Sequence, residues 1–366
     1  MELLPEPLAS VPTLVEQLRE GRMIILVDDE DRENEGDFVV AAEHVTVEQV
    51  VAMNRIASGI ITVPMPAPWL RRLHLDPMVQ HNAESMRTAF TVTVDAKQGV
   101  STGSSAHDRV ATIRRLADPT AHADDFVRPG HVNPLCVREG GVLKRTGHTE
   151  ASHDLMLMAG LHPVAVLCEI MGDDGEMLRL PQLRQLAARM GLCLGSIADV
   201  IAHRQLHERL VERLDTATLP TAWGEFTVHR YRSHVDEGRY TALQLGSPRE
   251  VDPVLARMHA ASLTDDLFGV LGGATSSSLQ RALERIGAEG TGVLVYIERP
   301  GQPGRPMDER TYGIGAQILR DLGVDRLRLL TDHPRRLAGL RGFGLEIERF
   351  EPLSESMADV HVLSGG

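Results

Sequence analysis

Cysteine is scarce in this sequence. Cys136, Cys168 and Cys193 are the only three in 366 residues, and no two of them form a Cys-x-x-Cys pair. An odd number of widely spaced thiols argues against a disulfide framework and against a thiolate zinc site, so no zinc is expected, and all three read as small buried side chains. Basic clusters are also missing. The net charge is −13, and a surface of that sign repels a polyanion, which argues against nucleic acid as a partner. No apolar run approaches the roughly 20 residues of a membrane span. The opening MELLPEPLASVP has neither a basic n-region nor a long apolar h-region, so nothing marks a signal peptide and a cytoplasmic protein is expected.

What the sequence has in excess is acid, concentrated in one place. Asp28 to Asp37 reads DDEDRENEGD and follows the apolar run Met23 to Val27. Gathering so many carboxylates costs electrostatic energy unless a cation or a cationic substrate neutralises them. A solvated surface turn is the plain alternative. A calcium loop is another, since Asp31, Glu33 and Glu35 alternate and Gly36 falls where such a loop turns sharply. That reading fails at the twelfth position, which is Ala42 where a bidentate Glu is needed. Phe38 to Ala42 reads as a second strand instead. Strand, acidic loop and strand suit magnesium, which keeps several waters and takes only one or two protein carboxylates.

Helix and strand signals alternate along the first half. Pro12 to Glu20 carries Leu14, Val15 and Leu18 at helical spacing, with Gly21 just past the end. Thr46 and Gln49 form a capping box for a helix to about Ala57, and Gly59 to Met65 is an apolar, β-branched strand. Thr88 to Asp95 alternates with a period of two and predicts a strand with one buried face. Gly99 to His107, GVSTGSSAH, leads into a helix over 108–117; it suits either an anion site or a capped helix start. Leu180 to Met190 and Ser196 to Arg204 read as helices.

Two motifs carry a histidine behind a glycine: RPGH at 128–131 and RTGHTE at 145–150. The glycine allows close backbone approach, and Arg145 with Thr149 supplies donors of the kind that bind phosphate. His148 could complete a metal site with the acidic loop. Pro163 to Met171 is an apolar strand with Glu169 near its end, a position that calls for a salt bridge or for a catalytic carboxyl of raised pKa.

DDEDRENEGD, TAFTVTVDA (88–96), RPGH, GGVLKRTGHTE (140–150) and CEIM (168–171) occur in the order and spacing of a known family. Over roughly residues 8–204 the chain resembles 3,4-dihydroxy-2-butanone 4-phosphate synthase, which converts ribulose 5-phosphate to that product and formate. The resemblance implies a mixed α/β fold and a homodimer with active sites at the interface. It implies magnesium or manganese held at Glu33 and His148. Substrate contacts are implied at Arg32, Glu33, Asp37, Arg145, Thr146, Gly147, His148, Thr149 and Glu169, with His131 and Glu169 needed for catalysis. A carboxylate base would then remove a proton made acidic by the polarised ketone. Thr62 stands where the family commonly has cysteine, and Met86–Arg87 where it has His-Gly.

From about 220 to 353 the chain resembles GTP cyclohydrolase II. That family binds zinc through three cysteines, and the matching positions here are Ser262, Gly273 and Thr275. Asp308 and Arg310 match its proton acceptor and nucleophile. Hydroxyls and a glycine cannot replace thiolates as zinc ligands, so loss of this activity is expected. The expected organisation is a synthase domain over 1–206, a linker over 207–219 and an inactive cyclohydrolase-like α/β domain over 220–366. A fully bifunctional enzyme and a noncatalytic partner protein are the rival readings; the missing cysteines oppose the first, and the intact acidic loop opposes the second.

Overall fold

A computed structural model describes residues 8–30, 32–236, 238–268, 277–298, 309–332 and 345–353. It forms two compact units, Met1–His203 and Arg204–Gly366.

In the first unit, helix α1 (Val11–Arg19) is capped by Ser10 and buries Val11, Leu14, Val15 and Leu18. Gly21, at φ 74°, then releases the chain into β1 (Ile24–Val27). Strand β1 pairs antiparallel with β2 (Gly36–Ala41), and both are buried along their whole length. The Thr46–Gln49 capping box starts α2 (Val47–Ala52), but the expected continuation to Ala57 winds as a π-turn over Met53–Ala57. There follow β3 (Ser58–Pro66), α3 (Ala67–Arg72), β4 (Val94–Ala96), α4 (Ala106–Leu116), β5 (Phe126–Val137), α5 (His148–Met158), β6 (Ala165–Ile170), α6 (Leu180–Met190), β7 (Leu194–Ser196) and α7 (Ile197–His207). The sheet order is β4-β5-β3-β6-β2-β1-β7. This order sets β6 beside β2, with Glu169 opposite Asp37.

The strand expected over 88–95 is a correction: only its end, in β4, is ladder. Thr91 N–H bonds to Pro134 O, while Met78 N–H bonds to Phe90 O and Val92 N–H to Asp76 O. The segment therefore divides its backbone bonds between β5 and the 76–78 loop. Pro134 has no N–H to return, so a regular ladder with β5 cannot form there.

The second unit contains β8 (Val211–Thr221), β9 (Gly224–Ser233), β10 (Arg239–Leu245), β11 (Val254–Ala260), α8 (Ser278–Glu289), β12 (Gly292–Glu298), α9 (Glu309–Asp321), β13 (Arg326–Leu330) and β14 (Glu346–Glu351). Its sheet runs β14-β13-β11-β12-β10-β9-β8. Val254, Ala256 and Met258 pack with Ile314 and Ile318 of α9, whereas Leu255 packs with Leu283 and Ile286 of α8. The period of two in β11 thus places one helix on each face. The residues read as a linker, 207–219, are largely strand. Strand β8 lies at the sheet edge with nearly every residue exposed, so it lacks the apolar alternation by which a strand is recognised.

Candidate functional site

The acidic loop joins β1 to β2 and is closed by its own bonds. Asp28 accepts the backbone N–H groups of Glu33 (3.1 Å) and Glu35 (2.8 Å). Arg32 supplies an internal cation, with Nη1 2.8 Å from Asp28 Oδ2 and 2.5 Å from Glu33 Oε2. Burial works against its charge, but these carboxylates outweigh burial and hold the Arg32 pKa above its ordinary value. Arg179, at the start of α6, donates to the carbonyl oxygens of Glu33 and Asn34.

His148 opens α5, directly after Gly147. Its Nε2 lies 3.1 Å from Leu26 O. A carbonyl only accepts, so Nε2 carries the proton and Nδ1 presents a lone pair. That lone pair faces Asp37 Oδ1 at 3.8 Å and Glu33 Oε2 at 3.9 Å. Burial pushes the His148 pKa down to about 4, which keeps the ring neutral. Asp37 Oδ1 is buried without a hydrogen-bond partner. Burial, then the neighbouring Glu169 and Glu33 charges, push the Asp37 pKa well above the usual carboxylate range.

Glu169 projects beside Asp37 from the adjacent strand, and burial followed by the Glu33 charge raises its pKa. A bulge in β3 makes this possible. Gly59 lies so close that a β-carbon there would sit 2.3 Å from Glu169 O. Arg145 is held by Glu150 Oε2 (2.7 Å), Thr88 Oγ1 (3.2 Å) and Met86 O (3.3 Å). A β-carbon at Gly147 would lie 2.3 Å from Arg145 Nη1, so a side chain there would push the guanidinium out of these bonds.

These groups converge on a pocket of about 240 Å³. Arg32, Glu33, Asp37, Arg145, His148, Thr149 and Glu169 all line it, as do Thr62, Glu84, Met86 and Thr88. Thr146 and Gly147 do not line it, and neither does His131, which instead pairs with Asp95 on β4. Among the described residues, Asp28, Glu33 and His148 form a group whose ligand atoms all lie within 4.8 Å of one another. Carboxylate oxygens, a neutral imidazole nitrogen and an orphaned buried oxygen suit a hard divalent cation such as magnesium or manganese.

Sequence reasoning passed over Asp28, Gly59, Thr88 and Arg179 as individual site residues. Only Asp28 had a signal, as the first acid after β1. The loop over 99–107 resolves in favour of the capped helix start. Ser101 N–H, Ser101 Oγ and Gly103 N–H all donate to Asp108, and Ser105 caps α4. Of the cysteines only Cys168 is buried, and burial pushes its thiol up to about 12; Cys136 and Cys193 are half-buried, which corrects the expectation for them.

In the second unit the hydroxyl of Ser262 donates to Asp265 Oδ2 at 2.9 Å. Gly273, Thr275 and Asp308 lie outside the described residues, and Arg310 falls in α9.

Comparison with known proteins matches both units. The sequence profile of 3,4-dihydroxy-2-butanone 4-phosphate synthase matches residues 12–203, and that of GTP cyclohydrolase II matches 212–303 and 298–352. The chain is 46% identical to the bifunctional riboflavin biosynthesis protein RIBA 1 of Arabidopsis thaliana, over 96% of this chain and 70% of the relative. It is also 46% identical to the monofunctional riboflavin biosynthesis protein RIBA 2 of that plant, over 94% of this chain and 77% of the relative. A crystal structure of RibBX from A. baumannii, described as a two-domain 3,4-dihydroxy-2-butanone 4-phosphate synthase, superposes with a TM-score of 0.79 at 38% identity, covering 94% of this chain and 99% of that one. A synthase structure in complex with two magnesium ions is 41% identical with a TM-score of 0.53, covering 54% of this chain and 98% of that one.

Proposed function

The chain belongs to the 3,4-dihydroxy-2-butanone 4-phosphate synthase family, and from that premise we propose that the pocket of Glu33, His148 and Glu169 converts D-ribulose 5-phosphate to L-3,4-dihydroxy-2-butanone 4-phosphate and formate in riboflavin biosynthesis. The observation that carries this reading is the buried, unpartnered Asp37 Oδ1 facing the bare Nδ1 of His148, with Glu169 on the neighbouring strand. Glu33 and His148 would hold magnesium or manganese, which when bound polarises the ketone and its neighbouring hydroxyl. Glu169, whose pKa is raised by burial and by Glu33, is suited to take a proton from carbon beside that ketone. Arg32 and Asp37 bind the sugar hydroxyls. Arg145, Thr149 and the first backbone N–H groups of α5 receive the phosphate, as helix N-termini do.

His131 is the catalytic group that the pocket lacks. Its side chain is 45% exposed, so it is available to a second copy of the chain, which supports a homodimer with active sites at the interface. The second unit is noncatalytic in this reading and serves structure or regulation. Ser262, whose hydroxyl is engaged with Asp265, and the absence of cysteine at 273 and 275 support that view. Among the described residues no helix is long and apolar enough to cross a membrane; the acidic net charge disfavours nucleic acid as a partner, and the cytoplasm is the compartment we propose.

The test is formate release from ribulose 5-phosphate by the full chain. Chelation should abolish turnover and magnesium should restore it, while Glu33→Gln and His148→Ala should each lose most activity without unfolding. Full turnover after exhaustive chelation would overturn the metal assignment.

A further inference from the structure

We propose that Asp95 is the positioning residue of His131, and that the loop over 101–103 walls the pair in place. The inference rests on the reading of His131 as a catalytic group. It begins with an irregularity in the β4–β5 ladder: Val94 pairs with Val132, but the next residue, Asp95, pairs with Val127. The four residues between, RPGH, are bulged out of the ladder directly over Asp95. A bulge of this kind re-aims the side chain it carries.

The bulge is seated by backbone contact and by one carboxylate. A β-carbon at Gly130 would lie 2.1 Å from the Val94 carbonyl carbon, so only glycine allows this approach. Gly130 N–H donates to Thr93 Oγ1 at 3.0 Å. Asp95, itself buried, uses both oxygens on one residue: Oδ1 accepts His131 N–H at 2.9 Å, and Oδ2 lies 2.7 Å from His131 Nδ1. A carboxylate of this kind only accepts, so Nδ1 carries the proton and Nε2 presents the lone pair. Asp95 therefore selects the tautomer and the ring orientation, and it would stabilise the imidazolium formed when Nε2 takes a proton.

The third side is the loop. A β-carbon at Gly103 would sit 2.0 Å from Asp95 Oδ2 and 2.7 Å from His131 Nδ1. Gly103 thus packs against the hydrogen bond itself, where any side chain would intrude. Asp108 fixes that wall through Ser101 and Gly103, which gives the glycine- and hydroxyl-rich stretch a purpose that anion binding does not.

Asp95→Asn tests this with the full chain. Its amide keeps the shape and can keep the bond to His131 N–H, but it then turns an N–H₂ towards Nδ1 and drives the proton to Nε2. The expected result is a fall in kcat of roughly 10²- to 10⁴-fold with KM unchanged, the size of a lost general acid or base. ¹⁵N spectra of histidine-labelled protein should show His131 changing from the Nδ1–H to the Nε2–H tautomer, a signature that a merely structural role would not move. Gly103→Ala, which leaves both side chains in the sequence but drives a β-carbon against Asp95 Oδ2 and His131 Nδ1, should lower kcat in the same way. The double variant Asp95→Asn/His131→Ala should be no slower than His131→Ala alone, because Asp95 acts only through the ring. Near-normal kcat in Asp95→Asn, an unchanged tautomer, or losses that multiply in the double variant would each overturn the proposal. Wild-type protein that leaves ribulose 5-phosphate untouched would instead remove the functional reading, and the tautomer spectrum would still decide the Asp95 contact.

Discussion

Replacing Gly59 by alanine would place a β-carbon 2.3 Å from the carbonyl oxygen of Glu169 and 3.1 and 3.2 Å from its carbonyl carbon and nitrogen, where contacts under 3.0 Å essentially never occur. The obstacle is backbone on a central strand, so no side chain can swing away, and β3 and β6 must part by the better part of an ångström. Overpacking of this kind costs about 1–3 kcal/mol. The larger effect is on position. Glu169 and Asp37 face each other across the β2–β6 ladder, and displacement of a reacting group by about 1 Å can cost on the order of 10²-fold in rate. Formate release from ribulose 5-phosphate would be measured beside urea unfolding of the same protein. The expected pattern is a folded variant, weakened by about 1–3 kcal/mol, with kcat reduced far more than KM is raised. A variant with normal kcat would refute the claim that the β3 bulge sets the place of Glu169.

Two further outcomes follow from the site. Glu169→Gln keeps the side-chain shape and removes the base, so turnover should fall by roughly 10²- to 10⁴-fold; near-normal turnover would return Glu169 to a structural role. GTP incubated with the intact chain should be recovered unchanged with or without added zinc, and metal analysis should find no stoichiometric zinc; a diaminopyrimidine product with formate from GTP would show that other side chains had taken over the metal.

Elements with signals at both ends were legible in the sequence. Pro12 and Gly21 bracket α1, and the Thr46–Gln49 box starts α2. What stayed hidden had its causes outside the local pattern. The bonds of 88–93 are split between two neighbours, and β8 is an edge strand with nearly every residue exposed. In the candidate site, the contiguous motifs DDEDRENEGD and RTGHTE could be read directly, and the fold brings them to one pocket. Arg179 could not be found that way. It reaches the carbonyl of Glu33 from 146 residues further along the chain, and a guanidinium bonding to backbone leaves no pattern in the residues it holds.

The closure of the acidic loop by Arg32, Asp28 and Arg179 has a consequence for how a cation would come and go. A loop ordered by its own bonds does not need the ion in order to fold, unlike small zinc domains that unfold on chelation. Removing the ion should therefore be reversible. The same arrangement would limit affinity, because Arg32 Nη1 already occupies Glu33 Oε2 at 2.5 Å and an ion bound through Glu33 would have to displace it or share the oxygen. With an ion at the proposed site the arginine would act as a resident competitor, and the protein would exchange tight retention for a site that is ready in advance and readily vacated.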